Sequence, residues 1–241
     1  MRVDKNSKIF SHPIAHRGLW GGEILENSLS AYKNAVSKGF PIEIDLYSSV
    51  DGVLYCFHDS TLDRMTEKSG YIYEQDSNTL NSLRLINSNE KIPTFDDVLE
   101  IVDGKVPLLI EIKNQPDKTI VEKVVNRLKK YSGEFAVQSF NPLYIKKIKK
   151  LAPDFIRGIL STTDKDDLKT QSFLERKVIS KMLLNFLIKP DFISCKYTDF
   201  PLKKRKTKNK LVLCWTVTSK EIYEKVKPFA NNIIFENFMP F

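Results

Sequence analysis

Two carboxylates alternate with aliphatic residues in PIEIDL, at Glu43 and Asp45, and the pattern returns in LLIEIKN at Glu111 and Lys113. Successive residues of a strand point to opposite sides, so Glu43 and Asp45 share one face and Ile42, Ile44 and Leu46 the other. Glu111 and Lys113 likewise stand opposite Ile110 and Ile112. Strands are normally poor in Asp and Glu, because a carboxylate on a half-buried surface must be solvated, paired or bound to metal. Two more apolar runs end on ionisable groups, IAHRG with His16 and Arg17, and LYCFHD with His58. Three acids with oxygen-only ligation favour a hard divalent cation, Mg²⁺ or Ca²⁺, over zinc. Beside Arg17 and Lys113 such a cation makes a phosphate-sized pocket, since the arginine fork matches phosphate oxygens. Two histidines suit phosphodiester cleavage, one taking a proton from the nucleophile and the other giving one to the leaving oxygen. Each signal alone is ordinary, and His12 is read as a structural histidine. Several ionisable groups arriving on separate apolar strands are harder to explain without a shared site.

The elements that must deliver them alternate. Strands are expected at about 10–16, 41–47, 106–113, 134–139, 155–160, 191–195, 211–217 and 232–236, with a hairpin arm at 53–58. Amphipathic helical runs lie between most of them: ENSLSAYKNAVSKG, with Asn27 or Ser28 as cap, TFDDVLEIV capped by Thr94, TIVEKVVNRLKKY, NPLYIKKIKKL, FLERKVISKMLLNFLI and SKEIYEKVKPF. Strand and helix in alternation imply a parallel sheet with right-handed crossovers. Eight such units in 241 residues point to a (β/α)₈ TIM barrel, with a doubly wound open sheet as the runner-up. In a barrel the functional groups belong at the C-terminal ends of strands, which would gather His16, Arg17, Glu43, Asp45, Glu111, Lys113 and Trp215 on one rim. Residues 60–92 have turn residues but weak periodicity, and read as a small insertion after the second strand (about 50–92 with the hairpin). Asp51-Gly52 predicts a two-residue hairpin loop, which would pair Val50 with Val53 and set Asp45 directly opposite His58.

Composition bounds the rest. The chain reads as one domain over residues 1–241, with 41% apolar and 28% charged residues. Its first residues lack the apolar run of a signal peptide, and no window approaches a spanning helix. FLERKVISKMLLNFLI is expected to pack against the barrel, so no stable membrane anchoring is implied. Three scattered cysteines without a CxxC pair argue against a disulfide framework and fit a reducing, cytoplasmic setting. A net charge of +8 has its densest part in KKRKTKNK at 203–210, read as a solvated loop or helix face. No aromatic interleaving or finger spacing supports nucleic acid as partner.

In these pieces the chain resembles the glycerophosphodiester phosphodiesterases of the PLC-like TIM-barrel group. The matching segments are AHRG (15–18), EN (26–27), IEIDL (42–46), DG and FHD (51–52, 57–59), IPTFDDVL (92–99), IEIK (110–113), QSFNP (138–142) and WTV (215–217), in family order over nearly the whole chain. The resemblance implies His16 and His58 as the acid/base pair, and Glu43, Asp45 and Glu111 as holders of one divalent cation. It implies Arg17 and Lys113 as phosphate ligands, Phe140 and Trp215 as pocket walls, and 60–92 as the family's small cap-like segment. The implied reaction is metal-dependent hydrolysis of a small glycerophosphodiester to glycerol 3-phosphate and an alcohol. Two other readings are cyclising, phospholipase D-like cleavage of a lipid phosphodiester, and a non-catalytic phosphate-binding barrel. The last would be marked by loss of a histidine or acid, and none is lost. Leu25 stands where the family often has proline, and IIFEN (233–237) where it usually ends its last strand in Thr-Asp. Glu236 there has a longer reach than Asp. The head-group alcohol, the choice of metal and the oligomeric state stay open.

Overall fold

The computed structural model describes residues 7–168, 171–203 and 207–240. Its strands are β1 (Ile14–Ala15), β2 (Ile42–Ser48), β3 (Leu54–Cys56), β4 (Leu108–Ile112), β5 (Phe135–Ser139), β6 (Arg157–Ser161), β7 (Phe192–Lys196), β8 (Leu211–Val217) and β9 (Asn232–Phe235). Its helices are α1 (Lys8–Ser11), α2 (Leu29–Ser37), α3 (Ser77–Ser82), α4 (Phe95–Val102), α5 (Ile120–Leu128), α6 (Pro142–Leu151), α7 (Phe173–Lys181), α8 (Asn185–Ile188) and α9 (Lys220–Val226). Parallel pairing runs β2-β4-β5-β6-β7-β8-β9-β1, and the bridge from Ala15 to Ile42 closes the ring. The result is an eight-stranded parallel barrel with helices between strands, the TIM-barrel architecture. β3 pairs antiparallel with β2 outside the ring.

The alternation seen in the sequence sorts the layers. Ile42, Ile44, Leu46, Ile110 and Ile112 pack outward into the helical layer with residues such as Tyr32, Phe95, Val98 and Val124. The inner face below the site is filled by Ile14, Leu109, Ala136, Phe192, Leu211, Leu213 and Ile234. Side chains with no polar atoms close the lower barrel, and the polar residues of β2 and β4 are left for its upper part. Residues 57–92 build a third, separate cluster: Phe57, Leu62, Met65, Ile72, Leu80, Leu85 and Ile92 pack with Tyr47 and Tyr55 of the hairpin. Where periodicity was weak, the chain still buries apolar side chains, under a segment whose only regular pieces are a 3₁₀ turn at Ile72–Glu74 and α3.

Three expectations are corrected. The strand predicted at 10–16 is only Ile14–Ala15, and Lys8–Ser11 is a helical turn whose Ile9 and Phe10 close the barrel floor. Asn232 fixes that turn by donating to the carbonyls of Ile9 and His12. The helix expected over 171–188 breaks at Met182, which adopts a left-handed conformation at φ 54° and splits it into α7 and α8. Its apolar residues do not all pack on the barrel: Ile179, Met182 and Ile188 are buried, but Phe173, Leu174, Leu183, Phe186 and Leu187 are exposed. The hairpin is one residue longer than predicted. Ser48 pairs with Leu54, and Ser49 donates to and flanks Val53, so Val50, Asp51 and Gly52 form the loop. Asp51 is drawn away from a two-residue turn because its carboxylate accepts from Ser49 Oγ and from the backbone and hydroxyl of Ser77 in the insertion. Asp45 therefore faces Phe57, whose N–H donates to the Asp45 carbonyl at 3.0 Å.

The other seven barrel strands fall where the sequence puts them, to within two residues at either end. Ser28 caps α2, and Thr94 with Asp97 forms a reciprocal cap on α4. The basic run at 203–210 lies partly outside the described residues. All three cysteines are buried and none is in a disulfide. Among the described residues no helix is long and apolar enough to cross a membrane.

Gly158 on β6 is the tightest point of the barrel. A Cβ there would lie 2.1 to 2.5 Å from three ring atoms of the buried Phe192, itself wedged edge-to-face on Phe10 at 5.5 Å. Gly158→Ala is expected to cost about 1–3 kcal/mol of stability. That would lower the melting temperature by roughly 2–4 °C per kcal/mol in a chain of this size. A thermal scan returning the parent value would show that the β6–β7 contact has slack.

Candidate active site

β2 and β4 lie side by side with Asp45 in register with Glu111. That register sets Glu43, Asp45 and Glu111 together on the inner face, and one oxygen from each lies within 4.8 Å of the others. All three are buried. Lys113, two residues beyond Glu111, brings its ammonium to 3.0 Å from Glu111 and 3.2 Å from Asp45. Arg17 approaches from the β1 end, its Nε 3.7 Å from Asp45 and its backbone N–H donating to Glu43 at 3.2 Å. The turn that aims it is unusual. Arg17 itself has φ 57°, and Gly18 follows at φ 87° with Ala31 so close that a Cβ would lie 2.8 Å from its methyl. Only glycine fits there.

The charges explain the carboxyl groups. Burial, then the neighbouring Asp45 and Glu111, push the Glu43 carboxyl well above the ordinary range. Burial acts on Asp45 too, but Lys113, His58 and Arg17 outweigh it and hold Asp45 ionised far below the usual range. Glu111 is raised by burial against the pull of Lys113. Two cations thus satisfy one carboxylate fully and leave the cluster short of positive charge. The donor set fits a hard divalent cation: all carboxylate oxygen, with no thiolate or imidazole within the cluster.

Each histidine is held at one nitrogen. His16 Nδ1 lies 2.6 Å from Glu236 Oε2, at the end of β9, and His16 Nε2 stands 4.0 Å from Glu43. His58 leaves the hairpin ladder after Cys56, so strand parity no longer governs it. Its Nδ1 meets Asp59 at 2.7 Å. Asp59 accepts from Arg64 at 2.6 Å, Arg64 reaches Glu26 at 2.5 Å, and Glu26 accepts from Arg17 at 2.9 Å. A chain of alternating charge therefore runs from His58 through the insertion to Arg17. Burial, then Lys113, lowers His58 to about 4, and burial, then Arg17, lowers His16 despite Glu236. Both rings are neutral near pH 7, with Nδ1–H directed at a carboxylate and Nε2 free.

All nine residues singled out from the sequence gather here. His16, Arg17, Glu43, His58, Glu111, Lys113, Phe140 and Trp215 line one cleft of about 1180 Å³, and Asp45 lies beneath it. Phe140 and Trp215 meet edge-to-face at 5.8 Å. Arg17 Nε, Gln138 Oε1 and Trp215 Nε1 are buried polar atoms of cleft-lining residues without a hydrogen-bond partner, as a site completed by ligand requires. Sequence reasoning missed Glu26, Asp59 and Arg64 as supports. It read Asn27 only as a possible helix cap, whereas at φ 51° Asn27 donates to Asp45 while accepting from Tyr32. The Glu-Asn pair before α2 was a readable signal; Arg64 sits in aperiodic sequence and offered none.

The glycerophosphoryl diester phosphodiesterase family model matches residues 16–239, from the first histidine of the cleft past the last barrel strand. The chain belongs to this family. A glycerophosphodiester phosphodiesterase of Caldanaerobacter subterraneus is 33% identical over 164 residues, 61% of this chain and 65% of that protein. The putative glycerophosphodiester phosphodiesterase YhdW of Bacillus subtilis is 30% identical over the same shares. These alignments span just under two thirds of either relative's length. The bovine glycerophosphodiester phosphodiesterase 1 is 29% identical across 88% of this chain and 74% of its own. Among solved structures, an Oleispira antarctica phosphodiesterase in complex with the product sn-glycerol-3-phosphate superposes with a TM-score of 0.79, covering 95% of each chain at 23% identity. That likeness concerns the fold.

The Glu236 contact predicts a titration. A hydrogen-bonded carboxylate favours imidazolium, so Glu236→Gln removes an upward influence and His16 should titrate at lower pH than in the parent protein. NMR of the ring protons reads this directly; an unchanged or raised midpoint would mean that the 2.6 Å contact carries no charge.

Proposed function

We propose that the protein hydrolyses glycerophosphodiesters to glycerol 3-phosphate and an alcohol. The observation that carries this is the pair of histidines, on separate elements, each tied at Nδ1 to a carboxylate and sharing a cleft with three acids, an arginine and a lysine. The glycerophosphodiester phosphodiesterases among its relatives support the same reading.

Arg17 and Lys113 bind the phosphodiester oxygens, Arg17 Nε, which makes no hydrogen bond within the protein, taking one of them. Phe140 and Trp215 flank the organic part. One imidazole Nε2 takes the proton of the attacking oxygen as its bond to phosphorus forms. The other, protonated once the anion is beside it, gives a proton to the alcohol oxygen as the second P–O bond breaks. Glu236 and Asp59 keep the tautomers fixed and stabilise whichever ring is charged. Glu43, Asp45 and Glu111 would hold one divalent cation, Mg²⁺ or Ca²⁺. When bound, that ion neutralises charge on the phosphoryl oxygens. Arg17 and Lys113, beside those acids, also hold the phosphate and so orient it for the two rings.

Release of glycerol 3-phosphate should be assayed on glycerophosphocholine, -ethanolamine, -glycerol and -inositol, with Mg²⁺ and Ca²⁺ compared. Product from none of them with either ion overturns the proposal. His16→Ala and His58→Ala should each lower kcat by roughly 10²–10⁴. Melting temperatures should stay near the parent value, because neither ring belongs to the apolar core. Loss of folding with activity retained would return that histidine to a structural role.

The raised Glu43 and Glu111 carboxyls give a second test. A cation binds the ionised forms, so binding must expel protons and its affinity must rise with pH. Calorimetry in buffers of different ionisation enthalpy measures that release. Added cation should also raise the melting temperature by linkage. Cation binding without proton release or stabilisation would sink the assignment of these three acids.

A further inference from the structure

Gln138 on β5 is 1% exposed and yet lines the cleft. Its Oε1 has no hydrogen-bond partner, and among the described residues its NH₂ group has none either. Most buried side-chain polar groups are paired, so an idle primary amide at a cleft points to a ligand. Its surroundings leave one direction for that ligand. Ala136, two residues earlier on the same inner face, belongs to the apolar filling of the lower barrel. On β6 the register partner is Gly158, where the ring of Phe192 occupies the side-chain space. On β4 the partner is Glu111, whose carboxylate is held by Lys113 at 3.0 Å. The cleft alone is left to supply a partner for the amide.

The two ends of the amide select among ligand chemistries. A cation held by the three acids would use the carbonyl and leave both N–H donors unpaired. A phosphate oxygen would use an N–H and leave the carbonyl unpaired. Two adjacent hydroxyls satisfy both ends, one donating to Oε1 and the other accepting from Nε2. Asp45, Glu111 and Gln138 stand in register on three neighbouring strands, so the amide lies next to the place given to the phosphate. Phe140, two residues further along the same face, meets Trp215 at 5.8 Å, and this aromatic wall suits the C–H side of a short polyol. We propose that Gln138 binds the two adjacent hydroxyls of the substrate's glycerol unit and makes the cleft selective for deacylated glycerophosphodiesters. A diacyl lipid offers no hydroxyl at that place and would leave the amide buried and unpaired. The assignment rests on the glycerophosphodiester hydrolysis proposed above, and adds to it the residue that reads the glycerol.

Gln138→Met tests it, because methionine keeps the length of the side chain and removes both hydrogen-bonding ends. The parent amide is unpaired in the free protein, so the variant should melt at or above the parent temperature. Calorimetry with Mg²⁺ or Ca²⁺ present then compares sn-glycerol 3-phosphate with propyl phosphate, which has the same phosphate and carbon chain but no hydroxyl. The parent should prefer glycerol 3-phosphate by about tenfold or more, the scale of two hydrogen bonds. Gln138→Met should lose about tenfold of that preference while binding propyl phosphate as the parent does. A marked fall in melting temperature, an unchanged preference, or an equal loss for both compounds overturns the role of Gln138 and leaves the phosphate site standing. A parent protein that binds neither compound overturns the reading of the cleft as a phosphodiester site, and this proposal with it.

Discussion

Three carboxylates buried within a few ångströms of one another are the constraint around which the rest is arranged. Taking an ionised carboxylate out of water costs several kcal/mol even after the surroundings relax, and each neighbour of like sign adds to that cost. The chain answers with Lys113 and Arg17, one from the strand that carries Glu111 and one from the turn after β1. Neither cation could be moved by a residue without changing side of the sheet or leaving the turn. The positive φ at Arg17 and the crowding of Gly18 against Ala31 are the backbone's concession to that placement.

Cations brought in to balance acids must themselves be held. Arg17 is gripped by Glu26, and Glu26 by Arg64, which also grips Asp59, which holds His58. Such a network is worth more than its exposed pairs would be singly, because its inner members are shielded from water. It also means that the two histidines are oriented from different sources. His16 depends on the last strand of the barrel through Glu236, whereas His58 depends on the insertion.

Most of the barrel was legible because its strands alternate: Ile42, Ile44 and Leu46 against Glu43 and Asp45 leaves little freedom in what faces the helices. The matching phase of IEID and IEIK put their acids on one face but not in register, since the strands are offset by two and Asp45, not Glu43, stands beside Glu111. The first strand was over-read because Ile9 and Phe10 look like strand residues, and only the tertiary fold reveals that they close the barrel floor. The hairpin loop was misjudged by one residue because the rule for Asp-Gly assumes that Asp has no better use. Here its carboxylate serves Ser77, which lies 26 residues away. The break at Met182 had no glycine or proline to announce it. Arg64 was invisible for a deeper reason: its value lies in a contact between two segments, and aperiodic sequence carries no mark of where it folds back.

The excursion between β3 and α4 leaves and rejoins the barrel at almost the same spot, since the N–H of Cys56 donates to the carbonyl of Pro93 at 2.8 Å. With its own apolar cluster and its ends stitched together, the segment is a detachable plate in evolutionary terms. Its length and outer residues can drift without touching barrel closure or the three acids, provided that an arginine still reaches Glu26 and Asp59. Tyr71 and Tyr73, stacked at 5.0 Å on the wall of the cleft, belong to that plate. Selection could therefore retune what the cleft admits by rewriting a few dozen residues, while the three acids, Arg17 and Lys113 are inherited unchanged.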